Sequence, residues 1–545
     1  MSNANIARHL AAMAAAQPDA CALKIPRGRT AKGRIDYLAL TFAQLDAEVA
    51  AWQEKLAAAG VKPGDRTLVM VKPGLPLIAA VFALFREEAV PVIIDPGMGL
   101  SSFAACVART QPRVLLGIPL AQVVSRVMRK SFRSVEVRIG ASPSLTARVN
   151  KVGAASPPLP RRRDAASTTS DTLAAIVFTS GSTGAPKGVC YEHGMFDAQV
   201  RMIRDTYDIQ PGEIDLPMLP IFALFNPALG LTTVVPEIDP RRPATVDPAR
   251  IVQTILQEGV TNSFGSPTLW RIVSEYCART KTTLPSLKRV LCAGAPVPDA
   301  LWQASPRFLP NGELHSPYGA TESLPVATVG ASTRAHSPLG SALGRPVSGV
   351  DVKIIAISDG PIARWADATE LEPGQIGEII VRGPMVTRSY DHLPEATQAA
   401  KITDDQGRIW HRMGDCGLRD PEGRLWFCGR KAERVQTAQG TLQTEPCEQT
   451  FRRHARARRC ALIGLGGTGA QIPALVAETS LTGRTEGAAL AAELRSLGRD
   501  NPWTRDIRHF YFHPHFPVDV RHNAKIHRLT LSRWAARNRP FVAAD

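Results

Sequence analysis

Between positions 179 and 188 the chain reads Thr179-Ser180-Gly181-Ser182-Thr183-Gly184-Ala185-Pro186-Lys187-Gly188, a run of the residue types that bind phosphate. Glycines let backbone N–H groups approach an anion, the hydroxyls of Thr179, Ser180, Ser182 and Thr183 add donors, and Lys187 supplies a mobile positive charge. The text is not a Walker A loop, because Pro186 precedes the lysine and Gly188 follows it. A Gly/Ser-rich linker is the ordinary alternative for so polar a stretch. The single lysine and the apolar run just ahead of the loop argue against it. Nine cysteines show no Cys-x-x-Cys pair and no Cys/His ligand spacing, so neither a structural zinc site nor a complete disulfide framework is expected, and the thiols point to a reducing cytoplasmic compartment.

A phosphate loop has to be presented by a rigid element. Leu173-Ala174-Ala175-Ile176-Val177-Phe178 is an unbroken apolar run and reads as a buried strand leading into the loop. Upstream, residues 154–172 read as a polar loop, while short apolar strands at 67–71 and 90–94, the latter ending in the turn Asp95-Pro96-Gly97, alternate with helical patterns. That rhythm predicts an α/β fold. Leu120, Val123, Val124, Val127 and Met128 have helical spacing beside Arg126, Arg129 and Lys130, which predicts an amphipathic helix. Such a helix ordinarily packs on its own core, and its basic flank also suits peripheral contact with an anionic membrane. Gly464-Leu465-Gly466-Gly467-Thr468-Gly469 satisfies the G-x-G-x-x-G text, but Pro473 and the apolar residues after it predict a hairpin rather than a dinucleotide fold.

Composition sets the outer limits. At 545 residues with 44% hydrophobic and 21% charged, the chain is a folded protein of several units, not a disordered or fibrous one. No apolar run approaches the roughly 18 residues that span a bilayer. Net charge is +16, but the basic clusters Arg161-Arg162-Arg163 and 452–459 lack interleaved aromatic residues, so a solvated surface is favoured over nucleic acid.

Further motifs follow the loop: Gly294-Ala295-Pro296, Tyr318-Gly319-Ala320-Thr321-Glu322, the segment Gly377 to Gly383, Met413-Gly414-Asp415, Gly429-Arg430, and Lys525 near the C-terminus. In this order they resemble the adenylate-forming superfamily of acyl-CoA synthetases, peptide-synthetase adenylation domains and luciferases. The resemblance implies ATP and Mg²⁺ as cofactors. It also implies a large N-terminal multi-sheet α/β domain over 1–430 and a small mobile α+β domain over 431–545 that carries Lys525. It assigns Thr179, Ser180, Gly181, Ser182, Thr183, Gly184 and Lys187 to the β- and γ-phosphates, and Gly294, Ala295, Pro296, Tyr318, Gly319 and Ala320 to the adenine. Thr321 falls at the α-phosphate, Glu322 at the metal, Asp415 at the ribose, and Arg430 at ribose and phosphate. Lys187 and Lys525 offset the repulsion as a carboxylate meets a triphosphate.

The fuller texts at Ile94 to Gly99, Leu219 to Gly230, His315 to Val326 and Arg521 to Arg528 resemble one branch, the olefin β-lactone synthetases. That resemblance implies ATP-driven closure of a long-chain 2-alkyl-3-hydroxy acid to a β-lactone, with a hydrolase (β-lactone decarboxylase) and a reductase as pathway partners. Three departures from the wider superfamily stand beside it. The segment Val435 to Gly440 lacks the Lys-x-Arg-Gly text that admits a CoA thiol, so no CoA is expected, and Ala432 replaces the hinge aspartate. Ala223 stands where many members have histidine, which with Phe222 and Phe225 suggests an apolar acyl pocket, with ordinary core packing as the equal alternative. A long-chain acyl-CoA synthetase and a basic membrane-associated scaffold are the alternatives. His193 and His315 lie near motifs, and a structural role is the simpler reading of each.

Overall fold

The computed structural model describes residues 4–141, 168–179, 185–239, 245–481, 483–518 and 526–543. They gather into two compact units: Met1–Val326 with Val347–Gly349 and Gly383–Thr397, and Ala327–Pro346 with Val350–Arg382 and Gln398–Asp545.

The first unit contains two largely parallel sheets. One runs in the order Val137–Gly140, Val114–Gly117, Arg66–Met70, Val90–Ile93, Leu173–Phe178, Gly188–Glu192. All its pairings are parallel except the last. The inner strands Val114–Gly117, Val90–Ile93 and Leu173–Phe178 are largely buried apolar runs without alternation, as the sequence predicted for the last. The helix Leu75–Arg86 buries every side chain from Ile78 to Phe85, which explains why it is apolar all round. On the helix Leu100–Thr110, Phe103 and Val107 pack with Leu68, Val92, Leu115 and Ile176.

The second sheet places the parallel strands Thr232–Val234, Ile214–Pro217, Asn262–Gly265, Arg289–Cys292 and Glu313–Ala320 side by side. Its helices are punctuated by sequence. Asp247 and Ser266 cap Pro248–Glu258 and Pro267–Thr280, each with proline at the first turn, and Gly259 ends the former at φ +63°.

The second unit has an antiparallel sheet ordered Asp351–Ile355, Gly377–Arg382, Ile409–Arg419, Leu425–Arg430, Ser341–Pro346. A smaller sheet pairs Cys460–Leu465 with Ile472–Glu478 as an antiparallel hairpin, beside His509–His513 in parallel. The glycines from 464 to 469 therefore sit at a hairpin turn, as predicted, and not at a strand-to-helix crossing. Phe451 and Leu494 pack on one face of this sheet, Leu531 and Ala535 on the other.

The amphipathic helix forms at Pro119–Val127 but turns its small residues inward. Ala121 and Ser125 are buried, Val124 and Met128 reach the core edge, and Leu120, Val123 and Val127 are 65%, 54% and 77% exposed. Close approach is the cause: a Cβ at Gly117 would lie 2.8 Å from the Ala121 methyl, so only small side chains fit beneath the helix. Among the described residues no helix is long and apolar enough to cross a membrane. The loop expected at 154–172 lies outside the described residues up to 167.

Candidate active site

Thr179 leaves the strand Leu173–Phe178, and Gly188 opens the antiparallel return strand opposite Phe178. Two hydrogen bonds close the base of the loop: Thr179 N–H donates to Lys187 O (3.0 Å) and Lys187 N–H to Thr179 Oγ1 (3.3 Å). Ser180, Gly181, Ser182, Thr183 and Gly184 lie outside the described residues, as does Lys525. Gly188 has no room for a side chain, since a Cβ would come within 3.0 Å of both Ile176 and Phe178. Arg109 Nη1 donates to Pro186 O at 2.8 Å, which fixes the loop's exit. Lys187 Nζ sits 4.7 Å from the centroid of the Tyr390 ring.

The other nucleotide candidates of this unit leave the carboxyl ends of adjacent parallel strands, where ligands bind in open α/β sheets. Gly294, Ala295 and Pro296 follow Arg289–Cys292, with Gly294 at φ +97°. Tyr318, Gly319 and Ala320 end the neighbouring strand Glu313–Ala320, and Thr321 and Glu322 make the turn into Ser323–Gly330. The segment carrying Phe222, Ala223 and Phe225 follows the carboxyl end of Ile214–Pro217 in the same sheet. Gly319 is required here because a Cβ would lie 2.7 Å from Ser323 O.

Two tyrosines hold the turn. Tyr191 on the return strand donates its hydroxyl to Thr321 O. Tyr390 donates its hydroxyl to Glu322 Oε1 at 2.7 Å, and Thr387 N–H donates to Glu322 O at 2.9 Å. Burial first, and then the Glu322 carboxylate, hold the Tyr390 hydroxyl far above the ordinary phenol range. It therefore acts as a neutral donor. Neither tyrosine was singled out by sequence: Tyr390 is 68 residues from its partner and lies in no recognised spacing.

Phe222 stacks on Phe264 with centroids 3.9 Å apart, and Phe225 packs against Phe222 (6.4 Å) and Phe196 (6.2 Å). Phe196 in turn meets Tyr191 at 5.1 Å and Phe85 at 5.9 Å, and Ala223 is buried beside them. The two predicted phenylalanines thus belong to a longer aromatic row. Phe85, Phe196 and Phe264 come from a helix, another helix and a strand, so no local text joins them. Asn226 anchors the segment from below, donating to Asp215 Oδ2 (2.8 Å) and Thr233 Oγ1 (2.9 Å). Burial pushes Asp215 up to about 7.

Both histidines are structural. Buried His193 accepts from Ile6 N–H through Nδ1 (3.2 Å), and burial lowers it to about 4. His315 packs edge-on against Tyr207 and is also lowered by burial.

In the second unit Asp415 and Arg430 face each other across adjacent strands and form an ion pair of 2.8 Å. Next to Arg430, Lys431 Nζ binds the fully buried Glu378 carboxylate at 3.0 Å, which Arg412 also holds at 2.6 Å. Beyond Lys525, Arg528 is clamped by Glu448 (2.9 Å) and Glu433 (2.8 Å). Gly377–Arg382 thus supplies an anchor for the strand end that carries Arg430, a role its sequence text does not disclose.

A carboxylate at this turn suits a hard cation, of which Mg²⁺ is one. Glu322 is a carboxylate with one oxygen engaged by Tyr390, and among the described residues no cluster of three or more His, Cys, Asp or Glu side chains could cage a metal.

The profile of the AMP-binding enzyme family matches residues 10–391. The chain is 42% identical to an olefin beta-lactone synthetase of Xanthomonas campestris pv. campestris and 43% identical to one of Stenotrophomonas maltophilia, in each case over 98% of both chains. In fold it is similar to the amide bond synthetase McbA from Marinactinospora thermotolerans, with a TM-score of 0.78 and 22% identity over 98% of this chain and 100% of that one. It is also similar to ATP-bound MatB from Rhodopseudomonas palustris, with a TM-score of 0.77 and 19% identity over 98% of this chain and 99% of that one.

Proposed function

The chain belongs to the AMP-binding enzyme family, and we propose that it spends ATP to close a long-chain 2-alkyl-3-hydroxy acid into a β-lactone, releasing AMP and pyrophosphate. What supports this reading above all is near full-length identity of 42–43% to two olefin beta-lactone synthetases. The reaction has two halves. The substrate carboxylate oxygen attacks the α-phosphorus of ATP, and pyrophosphate leaves with the bonding pair. The substrate's own 3-hydroxyl oxygen then attacks the acyl carbon, AMP departs, and the hydroxyl proton passes to a phosphate oxygen of AMP.

The residues divide the work by charge. The Thr179–Lys187 loop holds the β- and γ-phosphates, Thr321 the α-phosphate, and Asp415 with Arg430 the ribose. Lys525 offsets charge as the two anions meet. Glu322 would hold Mg²⁺, which when bound screens the phosphates. The aromatic row from Phe264 through Phe222, Phe225 and Phe196 lines the acyl site, excluding water that would hydrolyse the acyl-adenylate. We place the lobes at 1–430 and 431–545 and the enzyme in the cytoplasm, working with the hydrolase and reductase of its pathway.

The competing reading is a long-chain acyl-CoA synthetase, which shares every nucleotide residue. The missing Lys-x-Arg-Gly text at Val435 to Gly440 favours the lactone. The test is mass spectrometry of products from ATP, Mg²⁺ and a synthetic 2-alkyl-3-hydroxy acid, with and without CoA. A β-lactone formed without CoA is expected; product that strictly requires CoA would overturn the proposal.

A further inference from the structure

Tyr390 belongs to none of the motifs above, yet it touches two residues that do the proposed chemistry. Its hydroxyl donates to Glu322 Oε1 at 2.7 Å, and Lys187 Nζ lies 4.7 Å from its ring centroid. Its backbone is pinned from both sides. Tyr390 N–H donates to Thr397 Oγ1 (3.0 Å), Cys190 N–H to Ser389 O (3.1 Å) and Asp391 N–H to Gly188 O (2.7 Å). The Asp391 carboxylate is in turn paired with Arg66 at 2.9 Å. The segment therefore runs alongside the strand that returns from the phosphate loop, and the tyrosine it holds there is buried.

We propose that Tyr390 is a positioning residue that keeps the Glu322 carboxylate and the Lys187 ammonium apart, the first for the metal and the second for the phosphates of ATP. The inference rests on the adenylating function proposed above. An ammonium and a carboxylate that share a partly buried site attract strongly, and a direct pair would cancel the two charges that nucleotide binding needs. Among the described residues Lys187 and Glu322 make no ion pair with each other; both are occupied by Tyr390. The electron-rich ring face takes the cation. The hydroxyl satisfies one carboxylate oxygen and leaves the other for a ligand. One side chain thus serves both charges and spaces them.

The test uses full-length Tyr390→Phe, Tyr390→Leu and the double variant Tyr390→Leu/Glu322→Gln. Calorimetry follows ATP binding in EDTA, electron paramagnetic resonance follows Mn²⁺ binding with a non-hydrolysable ATP analogue, and Tm reports folding. Tyr390→Phe keeps the ring and loses the donor, so Mn²⁺ affinity should fall about tenfold, the worth of a charge-assisted hydrogen bond, while metal-free ATP binding stays near wild type. Tyr390→Leu lets Glu322 capture Lys187, so metal-free ATP binding should weaken too. Glu322→Gln in that background should restore it, a recovery that a merely structural tyrosine would not give. Unchanged Mn²⁺ binding in Tyr390→Phe, or no recovery in the double variant, would overturn the inference. A wild-type protein that binds no ATP would instead overturn the adenylating function itself.

Discussion

Lys525 and Asp215 show how differently single side chains contribute. Lys525 is proposed to act on charge that builds as the carboxylate meets the α-phosphate, so Lys525→Ala should cut the rate of pyrophosphate release by orders of magnitude at nearly unchanged ATP affinity. A variant with wild-type turnover would remove it from the mechanism. Asp215 does no chemistry, but it is buried and raised from 3.8 to about 7. Its folded pKa lies above its unfolded value, so the native state keeps a proton that the unfolded chain has lost. Stability should then fall as pH rises from about 4 to about 7. Asp215→Asn keeps an acceptor for Asn226 without the charge, and should flatten the Tm profile over that window. An equally steep profile would assign the dependence elsewhere.

Elements decide whether these side chains arrive together. Gly319 shows the tolerance involved. Placed at the end of the strand Glu313–Ala320, it passes so close to the next strand that a Cβ would meet Ser323 O at 2.7 Å and Leu324 Cδ1 at 2.8 Å. Gly319→Ala should destabilise by roughly 1–3 kcal/mol through overpacking. It should also weaken ATP binding, because the shift falls next to Thr321 and Glu322. A variant with wild-type Tm and ATP affinity would contradict that account. The strands themselves were legible. Unbroken apolar text predicted Leu173–Phe178, because a strand covered on both faces has no polar side to display. The inward face of Pro119–Val127 was not: apolar periodicity gives a face, but Ala121, which lies close over Gly117, and Ser125 are the buried residues while Leu120, Val123 and Val127 stay exposed.

At the scale of the whole molecule, binding energy and folding energy are linked. ATP at a hundred times its dissociation constant should stabilise the protein by about 2.7 kcal/mol, read as a rise in Tm, and the rise should shrink in Glu322→Gln when Mg²⁺ is present. No shift with ATP would count against the nucleotide site. What the sequence by itself determined is the set of candidates: a loop of phosphate-binding residue types, a carboxylate after Thr321, a carboxylate and a guanidinium at 415 and 430, and a lysine near the end. Tyr318 to Glu322 stand as contiguous text because the close approach of Gly319 to Ser323 restricts the residues that can occupy that turn. Tertiary structure alone decided the partners. Tyr390 reaches Glu322 across 68 residues, and Phe264, Phe225 and Phe196 form one row from three separate elements. Contacts of that kind depend on which strands neighbour one another and how closely they pack, and neither a local spacing nor a periodicity records it.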